Sequence, residues 1–132
     1  MTSGGFSLEH GVVICFNQVS TYTEVENTLL HELVHAYDNC TVKGMDFYNN
    51  CAHLACSEIR AAAMSGDCDM MREVFRGNVG LNPMGWAGLT ERCIRRRAIL
   101  SVDMNPNCTS FSGPIDLDAF THRAESRPMS KN

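Results

Sequence analysis

The sequence has no Cys-x-x-Cys pair, which excludes the spacing of zinc knuckles and thioredoxin-like redox sites. It has no run approaching the roughly 20 apolar residues that cross a bilayer, and the stretch Gly11 to Phe16 is far too short. It has no excess of positive charge. Lys and Arg number 11 against 15 Asp and Glu, and the net charge of −4 gives no general attraction to nucleic acid or anionic membranes. No internal repeat is present. The opening residues, Met-Thr-Ser-Gly-Gly-Phe, form neither a secretory signal nor an Arg-rich amphipathic transit peptide, which taken alone points to the cytosol.

What is present starts with size. A chain of 132 residues, 44% hydrophobic, has room for one domain with a real core. That domain is expected over residues 1–120, with a disordered tail over 121–132. Seven cysteines, at 15, 40, 51, 56, 68, 93 and 108, are spread along it. Spread cysteines in a small domain are better read as disulfide partners in an oxidising compartment than as buried free thiols. An odd number leaves at least one thiol without a partner in the chain, and spacing does not resolve the pairing.

The segment from Glu24 to Asp38 lacks Pro and Gly, and Val25, Leu29, Leu30, Leu33 and Val34 supply an apolar stripe, so it reads as a helix. Thr21 with Glu24, or Thr23 with Glu26, supplies a capping box at its start. Inside it lies His31-Glu32-Leu33-Val34-His35. Residues four apart share a helix face, so both imidazoles can address one ion. Glu32 sits about 100° round the helix, where its carboxylate reaches a water on that ion without binding the metal. This is the His-Glu-x-x-His pattern of zinc peptidases, with His31 and His35 as ligands and Glu32 as general base. Zinc lowers the pKa of its water towards about 7, and Glu32 takes the proton and returns it to the leaving amine.

Around this helix, residues 1–10 read as loose and Gly11 to Phe16 as a buried strand. A second helix is expected over Asn50 to Ser65, where Ala favours helix and close packing. A short third helix follows over Asp67 to Arg76, and a fourth over Leu89 to Val102. The stretch from Gly77 to Gly88, holding Trp86, is a break. Asn105-Pro106-Asn107 is a turn, and Ile115 to Phe120 a further short helix. The arginines at 92, 95, 96 and 97 read as a solvated helix face rather than a nucleic-acid site.

Catalytic zinc takes three protein ligands and keeps a fourth position for water. Glu58, on the second helix and 23 residues after His35, is the favoured third ligand, with an ion pair to Arg60 as the plainer role. His53 is an alternative, but lies about 140° from Glu58 on the helical wheel, so the two do not share an ion. Asp38, past the end of the histidine face, is better suited to orienting a histidine or pairing with Arg60. His53 and Tyr37 are candidates for holding the oxyanion.

Several blocks together resemble the family of mitochondrial inner membrane proteases that are also ATP synthase assembly factors. They are Gly4-Gly5-Phe6, Gly11-Val12-Val13-Ile14-Cys15, Asn27-Thr28-Leu29 and His31 to Asp38. The match runs on through His53 to Ala61 and Ser65-Gly66-Asp67-Cys68, then fades into Cys93 to Arg97 and Asn105 to Cys108. The resemblance implies a zincin-like α+β fold, mostly helical, with a short sheet and an active-site helix. It implies a zinc metalloendopeptidase of the intermembrane space, peripheral to the inner membrane, with one catalytic Zn2+. Its expected partners are the precursor of ATP synthase subunit a, which it trims and helps to assemble, and other intermembrane-space or inner-membrane proteins. Such proteins are rich in disulfides and enter by oxidative import without a cleaved presequence. The alternatives are a non-proteolytic assembly chaperone and a DNA-repair-associated Ku-binding protein, and no direct contact with nucleic acid is expected. Family members carry a longer cysteine-containing segment before the Gly-Gly-Phe block and a different ending from Ala119 onward, which fits the odd cysteine count.

Overall fold

The computed structural model describes residues 3–77 and 88–108. Strands β1 (Gly4–Ser7) and β2 (Gly11–Ile14) form an antiparallel hairpin in register Gly4 to Ile14 and Ser7 to Gly11. One 3-10 turn, Phe16–Gln18, leads to four helices: α1 (Tyr22–Thr41), α2 (Cys51–Met64), α3 (Met70–Phe75) and α4 (Leu89–Met104). The described chain is therefore mostly helical with one small two-stranded sheet. Trp86, the helix expected over 115–120, the tail over 121–132 and the domain boundary at 120 lie outside the described residues.

The expectation that residues 1–10 are loose is wrong for Gly4–Ser7, which pair with β2. Glycine makes this possible. A Cβ on Gly4 would lie 2.6 Å from Thr28 Cγ2 on α1 and 2.9 Å from the Val13 carbonyl oxygen, so only a bare backbone fits between helix and strand. The strand expected over 11–16 is shorter, ending at Ile14, and half-buried rather than buried, because among the described residues the sheet has two strands and Val13 faces out.

Local signals set the helix ends. At α1, Glu24 N–H donates to Thr21 Oγ1 (3.2 Å) and Glu24 Oε2 accepts from Thr21 N–H (3.1 Å), so the capping box at Thr21 is the one used. Asn50 caps α2 by accepting from Ala52 and His53 N–H, and Asp69 caps α3 by accepting from Met71 N–H. After α2 the backbone turns through Gly66 at φ +76°, a conformation that favours glycine, and sends Asp67 back toward α1.

α2 is the central helix, packed on α1 and on α4. Its Ala61 and Ala62 are fully buried, and their small side chains allow close approach. Each of two small apolar clusters is built on a disulfide. Cys51–Cys108 sits with Ala55 and Val102, and Cys68–Cys93 with Ala62. Cys15, Cys40 and Cys56 are free thiols.

α1 is turned against its own apolar stripe. Leu29, Leu30 and Leu33 are 40–45% exposed, and of the five stripe residues only Val34 is buried. The buried face is polar: Thr28, His31, Glu32, His35 and Asp38. Burying that many polar groups is costly unless they find partners, and the partners come from α2, α4 and the Gly66 turn.

Candidate metal centre

α1 carries His31, Glu32 and His35 on its buried face, and α2 brings Glu58 beneath them. His31 Nε2 lies 3.4 Å from Glu58 Oε2, and His35 Nε2 lies 3.5 Å from Glu58 Oε1. The ligand-type atoms of His31, His35 and Glu58 all fall within 4.8 Å of one another, and all three residues are buried. Atoms each about 2.0–2.1 Å from a tetrahedral ion stand about 3.3 Å apart. Two imidazole nitrogens and a carboxylate at these spacings fit a zinc-type ion. The buried Glu58 Oε2 also lacks a hydrogen-bond partner among the described residues, as a ligand atom does before it is coordinated. Glu58 does not pair with Arg60, which instead pairs with Asp38.

The outer nitrogen of His35 is held by a relay. Ser57 donates its hydroxyl hydrogen to Asp38 Oδ2 (2.8 Å), and His35 Nδ1 lies 2.8 Å from the same hydroxyl oxygen. A serine has one hydrogen to give. With it spent on the carboxylate, the oxygen accepts from Nδ1–H. That tautomer leaves the Nε2 lone pair facing Glu58, the arrangement a metal ligand needs. Asp38 thus reaches His35 through Ser57 and also pairs with Arg60.

Electrostatics set the protonation states. Burial pushes the Glu32 carboxyl up to about 7; His31 and Arg97 pull it down, and Glu58 and Asp67 push it further up. Burial holds His35 below the ordinary histidine value, against the pull of Glu58 and Asp38, which keeps the ring neutral as a ligand must be. Burial also raises Glu58, but the polar groups packed against it, His31 first, then His35 and the Ser101 hydroxyl, outweigh it and hold Glu58 below the ordinary glutamate value.

The group opens onto a cleft of about 530 Å³. One wall is Ser3 to Phe6, so β1 is the strand beside the site. Phe47, Leu54, Leu100 and Met104 line an apolar portion, with Phe47 stacked edge-on against both His35 (5.8 Å) and Phe6 (6.5 Å). Ser101 and Arg97 enter from α4. Two sequence candidates are elsewhere. Tyr37 is 61% exposed on the outer side of α1, and His53 Nδ1 accepts from Asp46 N–H (3.2 Å) in the connector before α2. Neither lines the cleft. Conversely, Ser57, Asp67, Arg97 and Ser101 escaped the sequence reading. Arg97 was read with a solvated basic face, yet it pairs with Asp67 at 2.8 Å, and Arg96 pairs with the buried Glu73 at 3.0 Å. No fixed spacing to the His-Glu-x-x-His motif announces any of them.

Comparison with known proteins adds an independent line. The profile of the peptidase M76 family matches residues 1–114. The mitochondrial inner membrane protease atp23 of Emericella nidulans is 44% identical over 109 residues, covering 80% of this chain and 42% of that protein. The protein of the same name in Yarrowia lipolytica is 44% identical over 106 residues, covering 80% and 40%. That of Meyerozyma guilliermondii is 42% identical over 110 residues, covering 83% and 43%. The chain spans about two fifths of the length of these curated relatives. No solved structure matches it.

Proposed function

The chain belongs to the peptidase M76 family, and on that premise we propose that it is a zinc-dependent endopeptidase with His31, His35 and Glu58 as ligands and Glu32 as general base. The observation that carries this is the convergence of three buried ligand-type side chains with Glu32 in the same cleft. When bound there, zinc supplies a Lewis acid that lowers the pKa of a water and stabilises charge on a carbonyl oxygen. The chain's own residues do the rest. His35 is fixed in its ligand tautomer by Ser57 and Asp38. Glu32, buried in the same cleft next to His31, takes the proton of the attacking water and passes it to the leaving amine.

Substrate binding follows from the cleft walls. β1 is paired on one side by β2, and it lines the cleft. An extended peptide adds alongside this strand by main-chain hydrogen bonds. The apolar portion at Phe47, Leu54, Leu100 and Met104 then takes a hydrophobic side chain near the cut. A helix carrying the metal motif next to a strand at the cleft supports a zincin-like reading of the fold.

The proposed setting is the intermembrane space, at the inner membrane, with the precursor of ATP synthase subunit a as substrate. The relatives are named mitochondrial inner membrane proteases, and the two disulfides suit an oxidising compartment. Among the described residues no helix is long and apolar enough to cross a membrane.

The test is zinc content and cleavage of the subunit a precursor, in wild type, Glu32→Gln and His31→Ala. Glu32→Gln should keep zinc and lose cleavage, and His31→Ala should lose both. Full cleavage by Glu32→Gln would remove the mechanism. Support of ATP synthase assembly without cleavage, in wild type as well, would favour the chaperone reading.

A further inference from the structure

The two histidines of the cluster are backed unequally. Nδ1 of His35 has the Ser57 hydroxyl at 2.8 Å. Nδ1 of His31 is buried with no hydrogen-bond partner among the described residues. The group it faces is the carboxylate of Asp67, whose Oδ2 lies 3.8 Å away, too long for a hydrogen bond and within ion-pair range. An orphaned buried ring nitrogen is costly, so a carboxylate facing it calls for a reason.

Asp67 is itself tightly fixed. Its Oδ2 pairs with Arg97 Nη2 on α4 at 2.8 Å, and its Oδ1 with Arg72 Nη1 on α3 at 3.3 Å. Its carbonyl accepts from Arg76 Nη1 at 2.7 Å. The next residue, Cys68, is disulfide-bonded to Cys93, one helical turn before Arg97 on α4. A turn, two helices and a covalent bond converge to hold one carboxylate against the far side of one imidazole.

From this we infer that Asp67 is the positioning residue of His31: its carboxylate, within ion-pair range of Nδ1, favours the proton on that nitrogen by charge and so sets the tautomer and direction in which Nε2 serves as ligand. The inference rests on the metal reading of the cluster. It makes the site symmetric in design, with one aspartate behind each histidine and an arginine behind each aspartate. Asp38 acts through Ser57 and is backed by Arg60, whereas Asp67 acts directly and is backed by Arg97 and Arg72. It also gives the Cys68–Cys93 bond a role at the site, since it tethers the segment bearing Asp67 to the helix bearing Arg97.

The test is zinc affinity of the whole chain, by competition with a chromophoric chelator, in wild type, Asp67→Ala, Asp67→Asn and His31→Ala. Asp67→Ala should bind zinc about 10- to 100-fold more weakly. Asp67→Asn, whose amide oxygen keeps a partial negative charge facing Nδ1, should lose less. Two further readouts separate positioning from mere support of the fold. The visible absorption of the cobalt-loaded protein should change in Asp67→Ala, and the His31 Nδ1–H resonance of the zinc-loaded wild type should move upfield in Asp67→Asn. Should Asp67→Ala not fold, the Asn variant and its resonance decide. Unchanged zinc affinity and an unchanged cobalt spectrum in a folded Asp67→Ala would overturn the inference while leaving the metal site standing. A wild type that binds no zinc, or a His31→Ala that binds it as tightly, would overturn the metal reading and this inference with it.

Discussion

Ser57 on α2 donates to Asp38 on α1 over 2.8 Å, and this one bond decides which nitrogen of His35 is free. Ser57→Ala removes it together with the acceptor for His35 Nδ1–H, and leaves a buried carboxylate with Arg60 alone. The expected cost is about 1–3 kcal/mol of stability and about 10-fold or more in zinc affinity. Urea titration and chelator competition measure the two. Unchanged values of both would show that the relay holds nothing.

The raised pKa of Glu32 makes the metal-free chain pH-sensitive in a defined direction. Unfolded, Glu32 ionises at its ordinary 4.5; folded, at about 7. Between these values the folded state holds more protons, so this contribution to stability is present at low pH and is lost as pH rises from about 4.5 to 7. His35 works the other way, because its lowered pKa costs stability as pH falls below the ordinary histidine value. Comparing Glu32→Gln with wild type isolates the first effect. In chelator, the variant should gain on the wild type by a few degrees of melting temperature between pH 5 and pH 7.5. Parallel melting curves across that range would contradict the assignment.

Gly4→Ala puts a Cβ against Thr28 Cγ2 and the Val13 carbonyl. The hairpin must lift from α1, at about 1–3 kcal/mol. Because β1 also walls the cleft, KM for an extended peptide should rise while the zinc stoichiometry stays at the wild-type value. A variant with wild-type melting and wild-type KM would show that the close approach is not needed.

The two disulfides close loops with sequence separations of 57 and 25 residues. Chain-entropy arguments assign them about 4 and 3.5 kcal/mol respectively. In a chain whose apolar clusters are as small as these, reduction should abolish cooperative unfolding at 37 °C, observed as loss of a thermal transition in dithiothreitol.

Tyr37→Phe and His53→Gln should leave cleavage near the wild-type rate. Losing an oxyanion donor costs about 100-fold or more. A drop of that size in either variant would bring the residue into the site despite its distance from the cleft.

Much of α1 was legible from local pattern alone. Helix, cap and the His31-Glu32-His35 spacing depend on neighbours within one or two turns, and those interactions exist in any sequence with these residues. The ends of α2, α3 and α4 were approximated to within about three residues, because Asn, Asp and Gly cap locally. Less legible was the strand at Gly4–Ser7. Two glycines are a poor strand signal, and their use there becomes visible only when Thr28 stands against them.

The sequence by itself determined the motif helix, the spacing that sets His31, Glu32 and His35 along it and the availability of cysteines for bridging, since each follows from residue type and short-range spacing. Tertiary structure alone decided the rest. It chose Glu58 over His53 for the cluster by the rotation of α2 against α1. It moved Tyr37 and His53 out of the cleft and brought in Ser57, Asp67, Arg97 and Ser101. It also turned α1 so that its polar face is buried and its leucines are exposed. The physical reason is common to all of these. A buried polar group must be satisfied, and here its partners lie 20 to 40 residues away in sequence, where no periodicity reaches.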